Sequence, residues 1–153
     1  MKTHPIPAGY HTATPYLIVK GAAKAIAFYR EAFGADEKMR LDGPGGVVMH
    51  AEIQIGDSPI MLADEFPQMN ALGPLSLGGS SVLILLYVED ADALFQRAVN
   101  AGAISERPVQ NQFYGDRSGT LRDPFGHRWT VATRVEEVSP EELRRRMMTM
   151  GGK

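Results

Sequence analysis

The chain has 153 residues, 44% of them hydrophobic and 22% charged, which is enough to bury a real interior as one domain or as two small units sharing a core. Its formal net charge of -2 carries no basic excess, so nucleic acid and anionic membrane are excluded as expected partners, and the absence of cysteine excludes disulfides, thiolate metal sites and cysteine nucleophiles. The first residues, Met-Lys-Thr-His-Pro-Ile-Pro, do not resemble a signal peptide and no segment approaches transmembrane length, so a cytoplasmic protein is the expectation.

In chain order, residues 1–11 are rich in Pro and Gly and read as an arm. Thr12 to Val19 reads as a strand, with Pro15 favouring its outer end or an edge position. Gly21 to Phe33 reads as a helix with Ala22, Ile26, Tyr29 and Phe33 on one stripe and Gly34 as its stop. Glu37 to Leu41 is a short strand, followed by a Gly-rich loop. Val47 to Ile55 alternates strictly, placing Met49, Ala51, Ile53 and Ile55 on an apolar face and His50, Glu52 and Gln54 on a polar one. Gly56-Asp57-Ser58 turns the chain into a strand from Pro59 to Asp64, and residues 65–80 read as a linker.

The order then recurs. Ser81 to Val88 is an apolar strand, and Asp90 to Ala101 a helix with Ala91, Leu94, Phe95 and Ala98 buried and Gly102 as its stop. A strand around Ser105 to Val109 leads to a strand, tight turn and strand within Gln112 to Ala132. Asp123-Pro124-Phe125-Gly126 is the turn, since Pro presets φ at its second position and Gly tolerates a positive φ at its fourth. Beyond it, Trp129 alternates with Thr130 and reads as a core residue, the alternative being a ring that stacks on a ligand. Val19 matches Val88 and Gly34-Ala35 matches Gly102-Ala103, a repeat of about 70 residues in which each half reads β-α-β-β-β. Residues 12–64 and 81–133 are thus two modules, in an α+β chain with a C-terminal helix over residues 139–150. Ser139-Pro140-Glu141-Glu142 starts that helix as a capping box, and Leu143, Met147 and Met150 form its stripe. Arg144-Arg145-Arg146 reads as its solvated face.

Two such modules, together with Asp-Pro-Phe-Gly-His-Arg-Trp before the last strand, resemble the vicinal oxygen chelate superfamily, which includes glyoxalase I, fosfomycin-resistance enzymes, extradiol dioxygenases and bleomycin-binding proteins. Thr-Pro-Tyr-Leu-Ile-Val, Ala-Phe-Tyr-Arg-Glu-Ala-Phe-Gly-Ala, Met-His-Ala-Glu-Ile, Met-Leu-Ala-Asp-Glu and Phe-Tyr-Gly-Asp-Arg look most like its PhnB-like branch. The resemblance implies mixed sheets curled around a cleft, a homodimer and a small-molecule ligand. It also implies, in metal-dependent members, one His, Gln or Glu ligand from each of the first, fourth, fifth and eighth strands. Those positions fall here at Thr14, near Met61 or Leu62, at Leu83 and at Thr130, none of which is a good donor for a divalent metal. No metal or other cofactor is expected.

Candidate ligand-binding residues are His50, Glu52 and Gln54 on the polar strand face, and Tyr114, Asp116 and Arg117 in the loop before the turn. His50 can act as acid, base or hydrogen-bond donor with Glu52 orienting it, or the strand face can simply be solvated. A metal site built on them would need a third ligand from Asp64, Glu65 or His11. Arg117 can bind an anionic or planar ligand through its guanidinium fork, or can pin the loop as a structural pair. His127 reads as a turn residue. Two functions follow as expectations: a metal-free small-molecule binding protein, for an antibiotic or a metabolite, or a glyoxalase-like lyase or isomerase or other enzyme using His50 and Glu52 as acid-base groups or displaced metal ligands.

Overall fold

The computed structural model describes residues 2–151. In chain order the elements are β1 (Tyr16–Val19), α1 (Ala22–Phe33), β2 (Asp36–Asp42), β3 (Val48–Ile55), β4 (Ser58–Asp64), α2 (Pro74–Leu77), β5 (Leu83–Tyr87), α3 (Ala91–Ala101), β6 (Ile104–Asn111), β7 (Asp116–Arg122), β8 (Arg128–Arg134) and α4 (Pro140–Gly151). Two four-stranded sheets run in the orders β1-β4-β3-β2 and β5-β8-β7-β6. Each is mixed: β1–β4 and β5–β8 pair in parallel, and the remaining pairs are antiparallel. This is the α+β architecture of two β-α-β-β-β modules expected from the repeat.

The chain divides into two compact units, one holding the residues up to Ser81 together with Pro124–His127, the other Val82–Asp123 and the chain from Arg128 onward. In the first unit α1 buries Ala22, Ala25, Ile26, Tyr29 and Phe33 against Leu17, Val19, Ala51, Ile53 and Leu62 of the sheet. Gly34 ends the helix at φ 70, where a side chain would be strained. Its N–H donates to the Arg30 carbonyl, and that of Ala35 to the Tyr29 carbonyl. The Pro124–His127 turn is part of this core: the Phe125 ring lies 6.2 Å from that of Phe28, and His127 Nε2 is 3.0 Å from the Ile18 carbonyl oxygen.

Several expectations change in detail. β1 opens at Tyr16 rather than Thr12, although the Pro15 carbonyl still accepts from the Met61 N–H at 3.0 Å. The segment 65–80 contains a 3-10 turn at Pro67–Met69 and the short α2. Met49 does not join the packed face of β3. The β2–β3 register shifts between Leu41, paired with His50, and Asp42, paired with Val48. This irregularity leaves Met49 without a cross-strand partner, so Met49 is 53% exposed and Val48 takes the buried place.

In the second unit Trp129 is fully buried, and its Nε1 donates to Asp123 Oδ2 at 2.9 Å. Asp90 caps α3 by accepting from the Ala93 N–H, and Thr133 Oγ1 accepts from the Ala91 N–H while donating to the Val88 carbonyl. At α4, Ser139 Oγ accepts from the Glu142 N–H as the capping box requires. Arg146 is not merely solvated: it donates to the Phe113 carbonyl and pairs with Glu136 and Glu142, tying α4 to its own chain. Met147, Met148 and Met150 are exposed. No helix among the described residues is long and apolar enough to cross a membrane.

Candidate functional site

Strand alternation sends His50, Glu52 and Gln54 to the face of β3 opposite Ala51, Ile53 and Ile55, and the structure gives the first two defined partners. Glu52 Oε2 lies 2.9 Å from His50 Nε2, and Tyr16 Oη lies 2.9 Å from His50 Nδ1. The Tyr10 hydroxyl donates to Glu52 Oε1. With Glu52 ionised and able only to accept, His50 Nε2 carries a proton, and in the neutral form of the ring Nδ1 then accepts from the Tyr16 hydroxyl. The four side chains form one hydrogen-bonded line, Tyr16–His50–Glu52–Tyr10.

The charges along it follow from those contacts. The Glu52 carboxyl is held below its usual range, first by the Tyr10 hydroxyl and then by His50, against the opposing effect of burial. The same bond seen from the other end pushes Tyr10 up to about 12, with burial and the Glu52 charge adding to it. Tyr16, although about half exposed, is raised by partial desolvation of its hydroxyl and, less, by the charge on Glu52. Tyr16 also lines a cavity of about 300 Å³ in the first unit, whose other walls include Ile18, Val47, Met49, Phe66 and Met69. A mainly apolar chamber, with Asp64 and Glu65 also in its lining and a phenol in its wall backed by imidazole and carboxylate, can hold a small organic molecule and can pass a proton along the line.

The remaining candidates are engaged differently. Gln54 Nε2 donates to the Gly56 carbonyl and so stabilises the turn into β4. Arg117, in the second unit, forms a two-bond pair with Asp92, at 2.6 and 2.9 Å, and reaches Asn111 Oδ1 at 3.3 Å. Tyr114 is partly exposed and packs edge-on to Phe113. Asp116 is buried and accepts from the Tyr87 hydroxyl at 2.9 Å. Tyr10, Tyr16 and Tyr87 were not singled out in the sequence. Tyr16 was visible as the one polar-tipped residue in the β1 alternation, but Tyr10 lay in a stretch read as an arm. Its placement depends on a turn in which the Tyr10 N–H donates to the Pro7 carbonyl.

The positions at which the resemblance implies metal ligands are Thr14, Met61 or Leu62, Leu83 and Thr130. Leu83 has no donor atom, Met61 offers only a thioether, and Thr130 Oγ1 is hydrogen-bonded to Thr120 Oγ1 at 3.0 Å. Asp64 is committed elsewhere: it accepts from the Gly21, Ala22 and Val48 N–H groups. Glu65 accepts from the Gly73 N–H and the Ser76 hydroxyl. Among the described residues no group of three or more His, Cys, Asp or Glu side chains is placed to hold a metal ion.

This geometry has relatives. An uncharacterized protein of Mycobacterium tuberculosis is 45% identical over 141 residues, covering 90% of this chain and 83% of its own. The X-ray structure of an Arabidopsis thaliana gene product superposes with a TM-score of 0.64 at 28% identity, over 80% of this chain and 98% of its own. TioX from Micromonospora sp. ML1 shares the fold at a TM-score of 0.66 and 23% identity, over 82% of this chain and 100% of its own. Residues 10–131 match the sequence model of one family, and the chain belongs to it: the Glyoxalase/Bleomycin resistance protein/Dioxygenase superfamily.

Proposed function

We propose that this chain is a PhnB-like member of the superfamily that binds a small organic molecule, a metabolite or an antibiotic, without a divalent metal at the superfamily position. The observation that carries the reading is the Tyr16–His50–Glu52–Tyr10 line beside the cavity that Tyr16 helps to wall. Apolar walls supply the area that holds a ligand, and the Tyr16 phenol, held by His50 behind it, fixes its orientation. The PhnB-like assignment rests on the phrases Ala-Phe-Tyr-Arg-Glu-Ala-Phe-Gly-Ala and Phe-Tyr-Gly-Asp-Arg. The metal-free reading rests on the donor chemistry of Leu83, Met61 and Thr130. A homodimer is part of the proposal, supported by exposed apolar side chains on β5.

The test is a metabolite and antibiotic screen by thermal shift, since any molecule that prefers the native state raises apparent stability. Affinity for a hit is then measured with Tyr16→Phe and His50→Ala. Loss of one neutral hydrogen-bonded contact is expected to cost about 0.5–1.5 kcal/mol of binding. Wild-type affinity in both variants, each folded, would move the site away from this line.

The line itself favours a second reading, an enzyme in which His50 moves a proton at its Nδ1 with Glu52 holding the opposite ring nitrogen. Consumption of a screened ligand by the wild type, abolished in His50→Ala and reduced in Glu52→Gln, would establish catalysis. Binding without turnover across all hits would leave the binding-protein reading in place.

A further inference from the structure

The second unit has its own cavity, of about 760 Å³, lined in part by Tyr87, Tyr114, Asp116, Glu89 and Arg134. None of these belongs to the hydrogen-bonded line of the first unit. Asp116 is 6% exposed, yet its carboxylate has one hydrogen bond among the described residues, from the Tyr87 hydroxyl to Oδ2. No fully enclosed side-chain oxygen in the described residues lacks a partner, so the other oxygen, Oδ1, is not fully enclosed, and Asp116 is one of the residues that line the cavity. Tyr87 and Tyr114, 65% and 43% exposed, contribute aromatic surface to the same walls.

The charges decide what such a cavity takes. Asp116 and Glu89 are acidic, and Arg134 is the opposing cation. Its guanidinium is largely exposed and leans toward Glu137 at 3.9 Å. Thr133 has no donor to spare, because its hydroxyl is bound to the Val88 carbonyl. An anion entering here meets a poorly hydrated carboxylate, whereas a cation finds a counter-ion and electron-rich ring faces. Val138 and Leu143 supply apolar wall for the body of the ligand. We propose that this cavity is a binding site for an organic ammonium ion, with Asp116 as its counter-ion and the Tyr87 and Tyr114 rings as its walls.

Three probes of matched size separate charge from shape: benzylamine, benzyl alcohol and benzoate, titrated into the full chain by calorimetry. Benzylamine is expected to bind about tenfold or more tighter than benzyl alcohol, the scale of one charge-assisted contact, and benzoate weakest of the three. Benzylamine should shift the ring resonances of Tyr87 and Tyr114 and leave those of Tyr16 and His50 in place, which separates this site from the one proposed above. Asp116→Asn should bring benzylamine down to the affinity of the alcohol. Because Asp116 is buried and its loss can disturb folding, two exposed positions carry the test independently. Tyr114→Ala is expected to weaken benzylamine roughly fivefold. Arg134→Ala, by removing the opposing cation, is expected to tighten it. Equal affinity for benzylamine and benzyl alcohol, preference for benzoate, or unchanged benzylamine binding in folded Tyr114→Ala and Arg134→Ala would each overturn the proposal.

Discussion

The hydrogen bond between Tyr10 and Glu52 joins a residue near the start of the chain to the middle of β3, and its effect on both partners can be read against pH. Glu52 is depressed in the folded state, so the stability it contributes is complete above the ordinary value of 4.5 and is lost as pH falls through the lower folded value. Tyr10 is raised from 10.0 to about 12, so its contribution is complete below 10.0 and is lost as pH climbs toward about 12. Tyr10→Phe removes the bond. Compared with wild type, the variant should lose stability across neutral pH, and the two melting curves should converge at both the acid and the alkaline ends. A difference that stays constant across the whole range would mean the ring packs and the hydroxyl does nothing. Gly115 is a second residue whose chemistry is forced. It sits at φ 103, and a Cβ there would run into the Glu136 carbonyl oxygen. Gly115→Ala should destabilise by at least about 1–3 kcal/mol in a chemical denaturation. His50 and Glu52 were legible as candidates because alternation alone sends them to one face. Their tyrosine partners were not, since each hydrogen bond depends on where another segment lies.

At the scale of elements, Asp64 shows how the first module is fastened. It is the last residue of β4, and its two oxygens accept from the first N–H groups of α1 and the first of β3. Gly21, at φ 88, has no capping side chain of its own, so the carboxylate does the work of a helix cap from another strand. Asp64→Ala should therefore cost about 1.5–3 kcal/mol, more than a surface carboxylate, and hydrogen exchange should quicken at Ala22 and Val48 together. Exchange that quickens only near Asp64 itself would show that the three elements are held by other contacts. The second module anchors differently, through the buried Trp129–Asp123 pair; Trp129→Ala is expected to lose about 3–5 kcal/mol. Helices and their glycine stops were readable from the sequence because period and φ requirements are local. The irregularity that ejects Met49 was not, because register belongs to a pair of strands and a single extra residue reverses which side chain faces inward.

For the molecule as a whole, the repeat was legible because two glycine-stopped helices recur in step, and the observed sheets repeat the same strand order with the same parallel pair. What each sheet does with its second face is a separate matter. In β5, Leu83, Leu85 and Tyr87 alternate outward and stay exposed, while Leu86 is buried. In the first unit, Tyr16, Met39, Leu41 and Met49 are exposed as well. Apolar side chains repeated at alternate positions along one strand form a continuous surface, unlike scattered single ones, and such surfaces mark association sites. The C-terminal helix is a weaker candidate for that role: its methionines are exposed, but Arg146 already binds it to its own chain through Phe113 and Glu136. If a second copy covers Leu83 and Leu85 of β5, leaving Tyr87 to the cavity it lines, sedimentation should report twice the mass of the chain at micromolar concentration and dissociation on dilution. Leu85→Lys should shift that equilibrium strongly to the monomer, whereas Met148→Lys on α4 should leave it unchanged. A monomer at all concentrations would count against the homodimer, and a dimer broken by Met148→Lys but not by Leu85→Lys would move the interface to the helix.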